Sequence, residues 1–202
     1  TVAALQPEAD AVNADIAFAW GNLQRMTTRI LLDGRKFRVE AVEVPDREGR
    51  LRTREVIRHP GAVVILPLLS DGRVVLIRNR RFAVNATLYE LPAGTREPGE
   101  ADEAGALREL EEETGYQAGK LEPLVRFFAS PGICDEEMIG FVATDLVPTA
   151  QRLDATEHIE VEKVDVATFR EMLRDGRIVD GKTLACGLYW LTFVAEDMKG
   201  AR

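Results

Sequence analysis

Apolar positions in this chain fall into short runs whose period changes from segment to segment, and those changes mark out its elements. Residues 62–68, Ala62-Val63-Val64-Ile65-Leu66-Pro67-Leu68, are continuously apolar, the pattern of a strand buried on both faces. His59-Pro60-Gly61 opens this main body, and Asp71-Gly72 turns it back into residues 74–78. Residues 121–129 and 138–143 read as further strands. Upstream, strand-like runs at residues 29–32, 36–44 and 51–57 are separated by Asp33-Gly34 and Asp46-Arg47-Glu48-Gly49, which predicts a small antiparallel sheet. Helical spacing appears over residues 102–114, with Ala104, Leu107 and Leu110 aligned, Asp102 as N-cap and Gly115 as the stop. It recurs over residues 168–174 and over residues 184–196, where Leu188, Leu191 and Val194 align. Residues 11–26 of the alanine-rich start also read as an amphipathic helix. The mixture predicts an α/β (α+β) fold, helices packed on a mixed sheet.

The helix over residues 102–114 carries the chemistry. It lies in a run that reads Gly94, five residues, Glu100, seven residues, Arg108-Glu109-Leu110, one residue, Glu112-Glu113, one residue, Gly115-Tyr116. Helical geometry puts Glu109, Glu112 and Glu113 on one face, where like-charge pairs weaken a helix by about 0.2–0.5 kcal/mol each. A bound cation would remove that repulsion. Mg2+ prefers oxygen ligands, keeps waters and is commonly shared between carboxylates and substrate phosphates, and Mn2+ is expected to substitute for it. Most glutamate-rich helices are only solvated acidic faces. Here Gly94, Arg108 and Gly115 stand at fixed offsets around the carboxylates, a coincidence expected on the order of once in a million chains.

Charge and composition narrow the partners. A chain of 202 residues with 46% hydrophobic content buries one sizeable core, with room for a small N-terminal addition. A formal net charge of −8 argues against a nucleic-acid partner held by a basic surface. It also means that an anionic substrate must be met by metal ions and locally placed arginines. Cys134 and Cys186 are too few for a disulfide framework, and no apolar run approaches the roughly 20 residues that span a bilayer. Thr1-Val2-Ala3-Ala4-Leu5 lacks the basic-then-apolar order of a signal peptide. A cytoplasmic protein without membrane partners is expected.

The run from Gly94 to Tyr116 resembles the signature of the Nudix hydrolases at every fixed position; Tyr116 stands where an aliphatic residue is more usual. The resemblance implies an α/β/α sandwich in which the signature forms loop, helix and loop, and an activity that hydrolyses a nucleoside diphosphate linked to another group. By motif position, Glu109, Glu112, Glu113 and the Ala93 carbonyl would bind metal, with Glu112 and Glu113 central to catalysis. Glu100 and Arg108 would orient the helix and its carboxylates. The implied domains are residues 1–58, an N-terminal helix and antiparallel sheet serving dimerisation, and residues 59–202, the catalytic domain.

Flanking segments bear on the substrate. Ser130-Pro131-Gly132 precedes Cys134-Asp135-Glu136-Glu137, a shaped acidic loop that reads equally as a surface turn. Pro131 lies sixteen residues after Gly115, which is similar to ADP-ribose pyrophosphatases, where a loop glutamate is the usual candidate for activating water. Glu136 matches that position, and Glu137 stays open beside it. Arg78, Arg80 and Arg81 are the densest positive cluster near the motif, and Arg81, nine residues before Glu90, matches an arginine that binds substrate. Arg54 and Glu55 match a segment that reaches the adenine across a swapped dimer, so a homodimer is implied; a charged hairpin is the competing reading. His59 and His158 are too few for an imidazole metal site and read as structural. Asp180-Gly181-Lys182-Thr183 reads as a turn and N-cap, and recurs in hydrolases of sugar nucleotides such as GDP-mannose. The expected reaction is therefore Mg2+-dependent hydrolysis of ADP-ribose to AMP and ribose 5-phosphate. GDP-mannose is the rival substrate, and a non-catalytic nucleotide-binding module the rival class.

Overall fold

The computed structural model describes residues 28–155 and 157–195. The helix expected over residues 11–26 lies outside them. The chain forms two compact units that part between Arg58 and His59.

The first unit carries β1 (Thr28–Asp33), β2 (Arg38–Pro45) and β3 (Leu51–Arg58) in one antiparallel sheet of order β1-β2-β3. Its β2–β3 turn is built locally: Asp46 Oδ1 accepts from the backbone N–H groups of Glu48 and Arg50 at 3.0 and 2.9 Å. Gly49 takes the positive φ of 79° that closes the hairpin.

In the second unit β4 (Ala62–Pro67) runs through the middle of a four-stranded sheet, between β7 (Ala93–Thr95) and β9 (Glu137–Pro148), with β8 (Tyr116–Phe128) beyond β9. β4 and β9 are parallel; the other pairs are antiparallel. A second sheet joins β10 (Ile159–Val164), β5 (Val74–Arg81) and β6 (Ala86–Glu90). Every residue of β4 is buried, and alternation sorts its side chains into two cores. Val63 and Ile65 pack with Ala106 and Leu110 of α1 (Asp102–Thr114). Val64 and Leu66 pack with Phe169 and Met172 of α2 (Val166–Arg174) and with Cys186 and Trp190 of α3 (Gly181–Phe193). Helices thus cover both faces of the sheet, the α/β/α arrangement expected.

Several expectations need correction. β8 begins at Tyr116, ahead of the expected residue 121, and β9 ends at Pro148, beyond the expected residue 143, with a register shift between Pro123 and Val125, where proline has no N–H for the ladder. β6, β7 and β10 were not anticipated; β7 is three residues long and carries no periodicity. Ala101, not Asp102, is the N-cap of α1 and makes no side-chain cap bond. Asp102 is drawn away to Arg96 and Arg126 at 2.8 and 3.1 Å. The buried side of α1 is Gly105, Ala106, Leu110, Glu113 and Thr114, while Leu107 is 39% exposed and Ala104 is exposed as well. α3 likewise buries Thr183, Cys186, Gly187, Trp190 and Leu191, leaving Leu188 exposed. Gly187 explains the choice of face: a Cβ there would lie 2.8 Å from Phe169 Cζ, so the bare backbone lets the ring of α2 seat against α3.

Phe169 is fully buried between these helices. Phe169→Ala is expected to lower unfolding stability by about 3–5 kcal/mol, read from urea denaturation, and a loss below about 1 kcal/mol would remove it from the centre of this core.

Candidate active site

The site is assembled where α1 crosses β7. Gly94 on β7 has to be glycine because the Glu109 carboxylate occupies the space of a side chain: a Cβ there would lie 1.9 Å from Glu109 Cδ. Gly105 makes similar room for Glu100, whose Oε2 would be 2.9 Å from an added Cβ. Arg108 then ties the cluster together. Its Nε and Nη2 donate to the two oxygens of Glu100 at 2.9 and 3.0 Å, a bidentate fork, while Nη1 donates to Glu109 at 2.7 Å and Glu112 at 3.1 Å. This contact holds the Glu100 carboxyl below its ordinary range and raises the Arg108 guanidinium. Arg108 thus links the loop carboxylate of Glu100 to two carboxylates of α1.

Glu113 is different. It sits on the buried face of α1, 4% exposed, and its Oε2 accepts one backbone bond, from the Ala93 N–H at 2.9 Å. Burial pushes its carboxyl up to about 8; the Ala93 N–H opposes this, and the charges of Glu109 and Glu157 add to it. Glu109 is also raised, first by burial, with Arg108 opposing and Glu112 and Glu157 contributing. Crowding of like charges contributes to both shifts. Removal from water is the larger cause in both groups, because the helix face that carries the glutamates is also a core face.

Among the described residues no three His, Cys, Asp or Glu side chains converge closely enough to hold an ion as they stand. Arg108 draws Glu109 and Glu112 to one side, and Ala93 faces Glu113 with its N–H. The donor chemistry nonetheless fits a hard divalent cation: oxygen atoms only, and one buried carboxylate whose negative charge no internal cation contacts directly. A cation here would supply what burial has removed from Glu113.

Residues the sequence reading did not assign complete the site. The loop after β9 is stitched to the end of α1: Thr149 N–H donates to Gly115 O at 2.7 Å, Gln151 Nε2 to Glu113 O at 2.6 Å and Arg152 N–H to Glu112 O at 2.9 Å. This stitching carries Glu157 to where its charge acts on both Glu109 and Glu113. No sequence signal marks Glu157, which is one acid among many. On the other side of the loop that leads to Ala93, Glu90 is fully buried and takes the Arg81 fork at 2.8 and 2.6 Å.

The remaining expected residues are more dispersed. Glu136 is half-buried with its Oε1 3.4 Å from His59 Nδ1, and the adjoining Asp135 accepts from His59 N–H at 2.8 Å. His59 therefore bears directly on the acidic loop. Pro131 is exposed in the turn in which Cys134 N–H donates to Ser130 O at 2.9 Å. Glu137 is engaged with Arg126 at 3.4 Å and Arg96 at 3.7 Å. Arg78 pairs with Glu160 at 3.0 Å, and Arg80 donates to Asn85. Arg54 and Glu55 are exposed on β3 of the first unit, opposite Val42 and Ala41. Among the described residues no helix is long and apolar enough to cross a membrane.

A carboxylate-bearing helix over a glycine-turned loop, on a sheet covered from both sides, defines a class that sequence comparison identifies: residues 58–185 match the NUDIX domain model, and the chain belongs to that family. It is 39% identical over 147 residues to an ADP-ribose pyrophosphatase of Bacillus subtilis (strain 168), covering 72% of this chain and 78% of the relative. It is 37% identical over 142 residues to a GDP-mannose pyrophosphatase of Yersinia pestis (strain Pestoides F), covering 65% and 71%. The crystal structure of an ADP compounds hydrolase superposes with a TM-score of 0.73 at 26% identity, over 89% of this chain and 97% of that one.

The raised Glu113 carboxyl has a consequence for stability. Between the ordinary carboxylate value of 4.5 and about 8 the folded chain holds a proton that the unfolded chain has lost, so stability falls as pH rises through that window. In EDTA the melting temperature is expected to drop between pH 6 and pH 9, and Glu113→Gln to flatten that slope. Equal slopes in the two proteins would show that Glu113 ionises freely.

Proposed function

We propose that this chain hydrolyses the pyrophosphate bond of a nucleoside diphosphate sugar, with ADP-ribose as substrate and AMP and ribose 5-phosphate as products. The observation that carries the reading is Glu113, buried and short of positive charge beside Glu109, within the signature of a family whose relatives include an ADP-ribose pyrophosphatase. A pure binding module would have no need of a buried, mutually repelling carboxylate pair.

Glu109, Glu112, Glu113 and the Ala93 carbonyl are the residues that would hold Mg2+, or Mn2+ in its place. When bound, the ion would neutralise the diphosphate and stabilise charge on the leaving phosphate. Glu100 and Arg108 fix the pitch of the carboxylates on α1. Arg81, anchored by Glu90, has Nη1 outside that fork and offers it to a phosphate oxygen. Pro131 shapes the loop that borders the substrate. A water adds to phosphorus as the bridging P–O bond breaks, and a carboxylate takes the water's proton. Glu136 is the assignment from loop position. Glu157 is the second reading, favoured by its electrostatic reach to both Glu109 and Glu113.

The reading extends to a cytoplasmic homodimer in which Arg54 and Glu55 of one protomer serve the other's adenine pocket. The exposed Ile30, Leu31 and Leu32 on β1, at 52, 43 and 52% exposure, supply apolar surface for that pairing.

Purified protein with Mg2+ is expected to release AMP from ADP-ribose. GMP from GDP-mannose would transfer the assignment to the second substrate, and binding without turnover would end the enzyme reading. Glu113→Gln is expected to lower kcat by orders of magnitude with the fold intact. Of Glu136→Gln and Glu157→Gln, the variant that removes the base is expected to lose about 10²–10⁴-fold in kcat with little change in KM, and full activity in either excludes that residue. Light scattering is expected to give twice the chain mass of 22.4 kDa; a monomer would remove Arg54 and Glu55 from the site.

A further inference from the structure

The Asp180-Gly181-Lys182-Thr183 segment at the start of α3 has no part in the reaction just described, yet it is built from buried charge. Lys182, 7% exposed, contacts Glu90 Oε2 at 2.5 Å and Asp180 Oδ2 at 2.9 Å. Glu90 is fully buried and also holds Arg81, whose side chain is 43% exposed. Two cations and two anions therefore close into a neutral cluster with a single exposed cationic end, Arg81. The cluster borders the carboxylates of α1: Arg81 is influenced by Glu113 and Asp180, and Glu113 by Lys182. Thr183 Oγ1 accepts the Leu91 N–H at 2.8 Å, two residues before Ala93. Helix capping does not account for the lysine, because Asp180 alone caps α3, accepting from Thr183 N–H at 3.0 Å and from Thr183 Oγ1 at 2.6 Å.

We propose that Lys182 is a positioning residue for substrate binding: by cancelling the charge of Glu90 it leaves the positive charge of Arg81 available to the diphosphate. Without it the cluster carries a net negative charge next to an anionic ligand. The inference rests on the nucleoside diphosphate reading and on Arg81 as its phosphate contact.

Binding of ADP-ribose in EDTA, measured by titration calorimetry, separates it from that reading, since no turnover is needed. Lys182→Met is expected to weaken Kd by about tenfold or more, with the effect in turnover appearing in KM rather than kcat, and Lys182→Arg to stay near wild type. Asp180→Asn caps a helix as well as aspartate does, so it is expected to tighten binding a few-fold. In the double variant it is expected to restore affinity lost in Lys182→Met, which a purely structural lysine would not allow. Wild-type affinity in Lys182→Met, or a double variant weaker than Lys182→Met, would overturn the proposal. If Lys182→Met does not fold, Asp180→Asn decides alone: tighter binding supports the charge balance and unchanged or weaker binding refutes it. Wild-type binding without hydrolysis in Mg2+ would sink the hydrolase reading and leave this one standing, whereas no wild-type binding in EDTA, with AMP still released from ADP-ribose in Mg2+, would overturn this one and leave the hydrolase reading standing.

Discussion

A carboxylate removed from water must be met by opposite charge, by hydrogen bonds or by a proton, at a cost of several kcal/mol otherwise, and the second unit is arranged around two such groups. Glu90 and Glu113 are 0% and 4% exposed. Glu90 is met from within, by the Arg81 fork and by Lys182. Glu113 receives one backbone N–H and lies among other acids, so its proton affinity rises instead. The same physical demand gives opposite roles: one carboxylate is satisfied and anchors architecture, the other remains in want of a cation.

The sheet makes that contrast possible. Because side chains of β4 alternate, one strand serves two cores, and the two cores hold α1 and α3 on opposite sides of the loop that runs from Glu90 to Ala93. α1 brings Glu113 to the Ala93 N–H, while α3 brings Thr183 to the Leu91 N–H and Lys182 to Glu90. A short connection is thus held from both helical layers, which is what a site needs if its carboxylates are to keep their places under mutual repulsion. Gly94 completes the fit, since only a residue without a side chain leaves room for Glu109.

Burial departs from apolar spacing on both α1 and α3, and for one reason. Apolar spacing aligns Leu107 with Leu110 and Leu188 with Leu191, yet Leu107 and Leu188 are exposed, and the buried positions include Glu113, Lys182 and Thr183. Binary patterning treats charge as a mark of surface. It fails at helices that bury polar groups for use, which is where a functional site departs from the general rule. Asp102 misled for a related reason: a good capping residue on paper is taken by Arg96 and Arg126, which the fold alone brings near.

What the chain determined by itself was local: the spacing of Gly94, Glu100, Arg108, Glu109, Glu112, Glu113 and Gly115, the helix that presents them, and the continuous apolar strand beside it. These depend on contacts within a few residues or on a single element's period, so they can be read in one dimension. Tertiary structure decided which of the like-charged residues lost water and which found a counterion. Lys182 meets Glu90 across 92 residues, and Glu157 reaches Glu109 and Glu113 through a loop stitched to the end of α1. Those pairings follow from how two cores close on one strand, and burial, the largest influence on Glu113, exists only once they have closed.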